Sequence, residues 1–322
     1  MRFIRHLLPI LALIISTPLA ATPQVVTSIK PINDLVHAVM EGVGEPVRLI
    51  PPGSSPHTYA LKPSERLALE KADILFWIGP EVETTLAKAS KTLRPDARII
   101  TLSTLPDIEL LPARTGGDWE KHEHAHGHEH AHAHGHGHGH EAQHHHHGTS
   151  FDGHLWLSPA NASMIVRAAS SIHSAADPEH APQYAANAEQ AIRRLTALDD
   201  ELKKKLAPVA AKPFIVFHDA YQYFEHTYGL RAVGSILVSP EAMASVGRVQ
   251  AMREKIKKLG AVCVFSEPQF EPKLVQTLIE GTQARSGTLD PLGAKLPPGL
   301  AGYEQLLQQL ADNLTSCLAS MP

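Results

Sequence analysis

The sequence predicts an α/β fold of two lobes, each with a parallel sheet, joined by one long rigid backbone helix, with a cleft between the lobes. Three observations carry that expectation. Short apolar runs alternate with helix-period segments, as βα units do. A stretch from 178 to about 206 keeps Tyr184, Ala188, Ala191, Ile192, Leu195, Leu198, Leu202 and Leu206 on one face, which at the usual rise makes a helix of roughly 45 Å. That outspans a single small lobe, and the strand and helix alternation restarts after it. The 322 residues suffice for about two domains of roughly 150 residues. The expected division is a first lobe over 22–177, the linking helix over 178–207 and a second lobe over 208–322.

Residues 1–21 read as an export signal. Arg2, Arg5 and His6 form a positive start, 7–15 an apolar core, and Ala20 and Ala21 the small residues near cleavage. The apolar run falls short of the roughly 20 residues that a spanning helix needs. No later segment is longer, so the mature chain is expected outside the cytoplasm with no direct membrane insertion.

Residues 24–29 then read as a buried strand, and Pro31 opens a helix carrying Ile32, Leu35, Val36, Val39 and Met40 at helical spacing. Residues 47–50 form a short strand. It runs into PPGSSPHTYALKPS, too rich in Pro, Gly and Ser for a helix, with His57 in its middle. Ser64 is read as the cap of a short helix, 74–78 as a strand, 82–93 as a helix and 98–101 as a strand. After a low-complexity insertion, Ser158 and Pro159 make an N-cap and first-turn pair for a helix, and Asp177 and Pro178 repeat that signal for the long one.

In the second half 214–217 is a buried strand with His218 directly after it, and Asp219 is read as capping a helix to Tyr228. A strand near 232–237, a helix over 246–259, a strand at 262–265 and a helix from Pro272 to about 284 follow. A short strand at 287–289 ends at Asp290, and 303–318 is a closing helix.

The insertion over 119–150 holds 14 of the 22 histidines: His122, His124, His126, His128, His130, His132, His134, His136, His138, His140, His144, His145, His146 and His147. Neutral imidazole is a common ligand of zinc, copper, nickel and cobalt, so the tract is expected to bind metal weakly at many interchangeable positions. With Gly alternating with His and almost nothing apolar, no burial offsets the entropy of ordering it. It is expected to be a disordered, metal-collecting loop.

The remaining composition excludes several functions. A net charge of -4 with no basic cluster gives no footprint for nucleic acid. The tract spells H-E-x-x-H three times, around Glu123, Glu129 and Glu141. That metallopeptidase signature works only on a helix, where both histidines share a face, so here it follows from histidine at alternate positions in a coil. No phosphate-binding G-x-x-x-x-G-K-[ST] loop exists. Cys263 and Cys317 are the only cysteines. In an oxidising compartment such a pair reads as one disulfide, stabilising by up to roughly 4 kcal/mol, against the alternative of two buried thiols.

Outside the tract and the signal, three histidines share one situation. His57 follows a strand, His154 precedes a Ser-Pro helix start, and His218 directly follows a buried strand. Ligands of open α/β sheets bind beyond the carboxyl ends of strands, so these three can converge. Asp290, after its own short strand, is the candidate fourth ligand, with turn formation as its alternative role. Three imidazoles and an oxygen suit tetrahedral zinc, whereas manganese recruits more carboxylate. His37 falls on a polar helix face and His173, His180 and His226 in polar helical surroundings, which sets them aside.

On SIKPI, the PPGSSPHTYALKPS loop, the histidine-rich insertion, HLWLSP, FIVFHDAY, FSEPQF and GTLDPLG, the chain resembles, over nearly its whole length, the periplasmic zinc-binding proteins of bacterial high-affinity zinc-uptake ABC importers, the cluster A-I type of solute-binding protein. The resemblance implies a two-lobed protein that holds Zn2+ in the cleft as transported ligand, with His57, His154 and His218 as ligands. Asp290 stands where manganese-binding relatives place a carboxylate, a place open to either this carboxylate or water in zinc members. Pro56 stands where some zinc members have a glutamate, and the cysteine pair matches a disulfide that some members carry. A periplasmic monomer and non-enzyme is implied, which hands zinc to a membrane permease with its cytoplasmic ATPase. A binder of manganese, iron or nickel and a secreted zinc hydrolase are the competing readings.

Overall fold

The computed structural model describes residues 22–114, 119, 151–237, 246–259, 263–270 and 273–319. The expected export signal, the histidines of the tract, and the expected strand and helix starts at Val262 and Pro272 lie outside the described residues.

The first lobe is built as β1 (Val25–Thr27), α1 (Lys30–Met40), β2 (Val47–Arg48), α2 (Pro63–Lys71), β3 (Ile74–Trp77), α3 (Thr84–Ala89) and β4 (Arg98–Thr101). Its strands lie parallel in the order β2-β1-β3-β4, with Val26 opposite both Val47 and Leu75. Every residue of β1 and β3 is buried, as befits parallel strands covered on both faces. α4 (Pro159–Ala176) and α5 (Ala181–Leu206) follow, the latter entered through a 3-10 turn at Pro178–His180. The second lobe repeats the plan with β5 (Pro213–Val216), α6 (Gln222–Tyr228), β6 (Arg231–Ser235), α7 (Val246–Leu259), β7 (Cys263–Ser266), α8 (Lys273–Ile279), β8 (Arg285–Thr288) and α9 (Leu300–Ala319). Its strands are again parallel, in the order β6-β5-β7-β8. No helix among the described residues is long and apolar enough to cross a membrane.

The 26-residue α5 buries Tyr184, Ala188, Ala191, Leu195, Leu198, Leu202 and Leu206, the stripe its sequence predicts except for Ile192, which is half-buried. Around it one apolar core runs from the first sheet through α4 and α9 to Phe214 and Phe265 of the second. A smaller core holds α7 and α8 against the other face of the second sheet, through Ile215, Val264, Met252, Ile256 and Leu278. The segment after β8 crosses to the first lobe: the Trp156 indole donates to Pro291 O at 2.8 Å, Lys30 Nζ to Pro297 O at 2.8 Å and Gly299 N to Asp34 Oδ1 at 3.0 Å. Gly302 makes that approach feasible, since a Cβ there would lie 1.9 Å from Pro297 O.

Local signals fared unevenly. Ser158 caps α4, its hydroxyl accepting from Asn161 N at 3.3 Å. Ser64 does not cap α2: Pro63 opens the helix, and the Glu65 carboxylate turns back to accept from Lys62 N at 2.7 Å. Residues 79–83 form turns ahead of α3 because Glu83 spends its carboxylate on the N–H groups of Ile78 and Gly79. Asp219 does not cap α6 either, for its carboxylate is bound to Arg114.

Candidate metal centre

Each of the three histidines is held where a strand or turn delivers it. His57 sits in the loop leaving β2, which the first turn of α3 grips: Thr84 Oγ1 donates to His57 O at 3.2 Å and Thr85 Oγ1 to Tyr59 O. His154 lies where the chain returns from the insertion. There Phe151 bridges Pro112, and Asp152 N donates to Leu111 O at 2.9 Å, so the insertion's two ends are pinned together. Gly153 lets this segment pass Val82, whose Cγ2 would stand 2.3 Å from an added Cβ. His218 comes two residues after β5, and Glu267 one residue after the neighbouring β7. The strand order diverges between β5 and β7, opening a crevice at their carboxyl ends.

The three imidazoles meet. One ligand atom from each of His57, His154 and His218 lies within 4.8 Å of the others, the one such His, Cys, Asp and Glu group among the described residues. Nε2 of His57 stands 3.3 Å from Nε2 of His154, and the His154 and His218 ring centroids are 5.3 Å apart. Tetrahedral ligands at about 2.0–2.1 Å from an ion are themselves about 3.3–3.4 Å apart. The His57–His154 spacing therefore suits a common tetrahedral metal.

Two carboxylates orient the buried pair. Asp152 Oδ1 accepts from His154 Nδ1 at 2.6 Å and from its backbone N–H at 2.9 Å, and Glu267 Oε1 accepts from His218 Nδ1 at 2.7 Å. A carboxylate on Nδ1 fixes the proton there, leaving Nε2 with its lone pair toward the ion. Burial pushes the Asp152 carboxyl up, but the facing His154 and then Arg114 outweigh it and hold the group below its ordinary range.

Beneath the site Arg114 binds across the lobes. It grips Asp219 with Nε at 3.0 Å and with Nη2, and Glu225 with Nη1 at 2.9 Å and Nη2 at 3.0 Å, while Trp119 stacks 3.6 Å from the guanidinium. Burial raises both the Asp219 and Glu225 carboxyls, with Arg114 opposing. Tyr223 adds a second tie, donating to Asp152 O at 2.8 Å and accepting from Leu111 N at 3.0 Å. Four carboxylates against one guanidinium leave formal negative charge around the site, a surrounding that favours a divalent cation.

Asp290 is not in the cluster. Its Oδ1 accepts from Gln269 Nε2 at 2.9 Å and Leu292 N at 3.0 Å, and its Oδ2 from Ala294 N at 2.8 Å. Cys263 and Cys317 form a disulfide that ties α9 to β7, the strand leading to Glu267. His37 is half-buried on α1, His180 pairs with Asp177, and His226 lies near Glu109. His173 corrects the polar placement. It is fully buried, stacked on Phe76 at 5.7 Å with Tyr184 at its edge, because its helical spacing from Ala169 puts it on the core face despite the serines beside it.

Asp152, Glu267 and Arg114 were not singled out from sequence. The two orienting carboxylates have a signal: an acidic residue two before His154, and one in FSEPQF directly after a buried strand. Arg114 has none, its partners lying 105 and 111 residues away.

Comparison with known proteins places these features in a family. A family model described as ZnuA, zinc-uptake complex component A, periplasmic, matches residues 25–317. The high-affinity zinc uptake system protein ZnuA of Brucella suis is 49% identical over 305 residues, spanning 92% of this chain and 91% of that one. A crystal structure of ZnuA superposes with a TM-score of 0.71 at 23% identity, covering 90% of this chain and 99% of the other. The periplasmic zinc-binding protein TroA of Treponema pallidum superposes with a TM-score of 0.73 at 21% identity over 92% and 99%. At those identities the two structures establish the shared fold of two lobes and a long helix.

Proposed function

The chain belongs to the ZnuA family of periplasmic zinc-uptake components, a transporter part and not an enzyme, and on that premise we propose that His57, His154 and His218 capture Zn2+ for delivery to an ABC importer. The observation that carries this reading is the convergence of three imidazoles from both lobes, two of them with a carboxylate on Nδ1. A ligand set of neutral nitrogens with no carboxylate suits zinc and disfavours manganese, which prefers oxygen ligands. Protons compete for the same lone pairs, so affinity falls as the medium acidifies.

Delivery is to a membrane permease powered by its cytoplasmic ATPase, with the chain acting as a monomer. The division into 22–177, 178–207 and 208–322 serves this cycle, with α5 as the spine. The hydrogen bonds from Trp156, Lys30 and Gly299 across the lobes oppose a wide hinge, and favour small lobe adjustments on loading and release. The histidine tract, whose described flanks meet at Leu111 and Asp152, raises the local zinc concentration next to the cleft. Asp290 supports the site from outside the ligand set.

Competitive metal titration of protein lacking residues 119–148 tests the reading. It predicts one tight site that prefers zinc to manganese and is abolished in His218→Ala. A preference for manganese, or unchanged tight stoichiometry in that variant, overturns it.

A further inference from the structure

The loop after β7 contributes more than Glu267. Gln269 and Phe270 line the same small cavity as His57, His154 and His218. Phe270 stacks on Phe217 at 4.7 Å and meets the His218 ring edge-on at 5.9 Å, so the cavity has an apolar wall on that side. Gln269 is the one uncharged amide in it.

The orientation of that amide is determined. Asp290 accepts from Leu292 N and Ala294 N as well as from Gln269 Nε2, so its carboxylate faces only donors and the NH2 of Gln269 must point to it. The amide oxygen therefore lies on the other side. Gln269 Oε1 is buried and accepts no hydrogen bond from the described residues. Leaving a buried acceptor without a donor costs about 1–3 kcal/mol, and folded proteins ordinarily supply one through protein, water or ligand.

We propose that Gln269 is a positioning residue for the bound ion: its amide oxygen accepts a hydrogen bond from a water in the fourth coordination position. The proposal rests on the zinc reading of the three histidines. A water on a divalent cation is a strengthened donor, and an amide oxygen is an uncharged acceptor that leaves the water intact. The sphere is completed without adding a carboxylate to it, which keeps the ligand set one that manganese does not favour. Asp290 acts through Gln269, aiming its oxygen.

The test uses the full chain, with zinc competed against a chelator strong enough to strip the tract. Gln269→Met, close in shape but without the amide, is expected to lower affinity at the tight site roughly 10- to 100-fold, the usual effect of removing an outer-sphere partner. It should also change the visible ligand-field spectrum of bound Co2+. The metal-free variant loses an unpartnered buried acceptor, which stabilises, and the donor to Asp290, which destabilises, so its unfolding temperature should stay near that of the wild type. Gln269→Ala should repeat the loss of affinity. Wild-type affinity and Co2+ spectrum in both variants overturns the proposal, as does lowered metal-free stability with an unchanged spectrum. His218→Ala, run in parallel, separates the two readings. If it loses tight zinc while Gln269→Met does not, the inference alone fails; if it keeps tight zinc, the three-histidine site fails.

Discussion

His57 and His154, 97 residues apart in the chain, bring their Nε2 atoms to 3.3 Å from each other. Two lone pairs at that distance repel unless a proton or a cation lies between them. The spacing is the edge expected of a zinc tetrahedron, about 3.3–3.4 Å. The loop grip of Thr84 on His57 and the Asp152 contact on His154 maintain it.

The carboxylates behind the ring nitrogens should matter almost as much as the rings. Asp152→Asn and Glu267→Gln each replace a charged acceptor on Nδ1 with a neutral amide. Each is expected to weaken zinc binding roughly 10- to 100-fold with the fold retained. Chelator competition with far-ultraviolet circular dichroism on the same samples checks both halves, and wild-type affinity in either variant would refute the role assigned to that carboxylate.

Arg114→Met should destabilise the protein far more than a surface ion-pair change. It leaves Asp219 and Glu225 buried beside each other without their cation. Breaking such a pair costs about 3–5 kcal/mol. Because burial already raises both carboxyls, the penalty should shrink in mild acid, where they protonate. Urea unfolding of wild type and variant at neutral and mildly acid pH measures it, and a small, pH-independent difference would contradict the interlobe role.

Two buried groups pull the pH dependence of stability in opposite directions. Burial lifts Glu83 from an ordinary value of 4.5 to about 7, against the Ser28 hydroxyl and the N–H groups of Gly79 and Ile78. Between those values the native state holds a proton that the unfolded chain has lost. Its contribution, on the order of 3 kcal/mol, is therefore complete below the lower value and vanishes as pH rises through the upper one. His173 is depressed by burial, with Ala169 O and then Asp177 opposing. The unfolded chain then takes up the proton first, and stability falls as pH drops below the ordinary imidazole range. Glu83→Gln should remove the loss on going from acid to neutral pH, and His173→Leu the loss in acid. Unchanged pH profiles of the unfolding midpoint would rule out these assignments.

The sequence made the fold legible because its signals are local. Buried runs such as ILFW and FIV, too short for helices and set between helix-period segments, read as covered strands, and the stripe from Tyr184 to Leu206 needs no partner to be seen. The three ligand histidines were legible for a related reason: His57 lies in the loop after a strand, His154 precedes a capped helix, and His218 comes just after a buried strand. What failed were assignments that depend on which partner wins. Asp219 can cap a helix, yet Arg114 from another lobe binds it; Ser64 can cap, yet Pro63 and Glu65 set the start two residues earlier, with Lys62 at the cap. Asp290 read as a candidate ligand by position, while its oxygens serve Gln269 and two backbone N–H groups. Serine neighbours disguised His173, because helical spacing counts three and four residues away.

The most direct measurement is an anomalous-scattering map, at the zinc edge, of crystals of the zinc-loaded protein. The account predicts one strong peak in the interlobe cavity, about 2.0–2.1 Å from Nε2 of His57, His154 and His218. A peak bound elsewhere, or one lacking any of those three nitrogens, would contradict it.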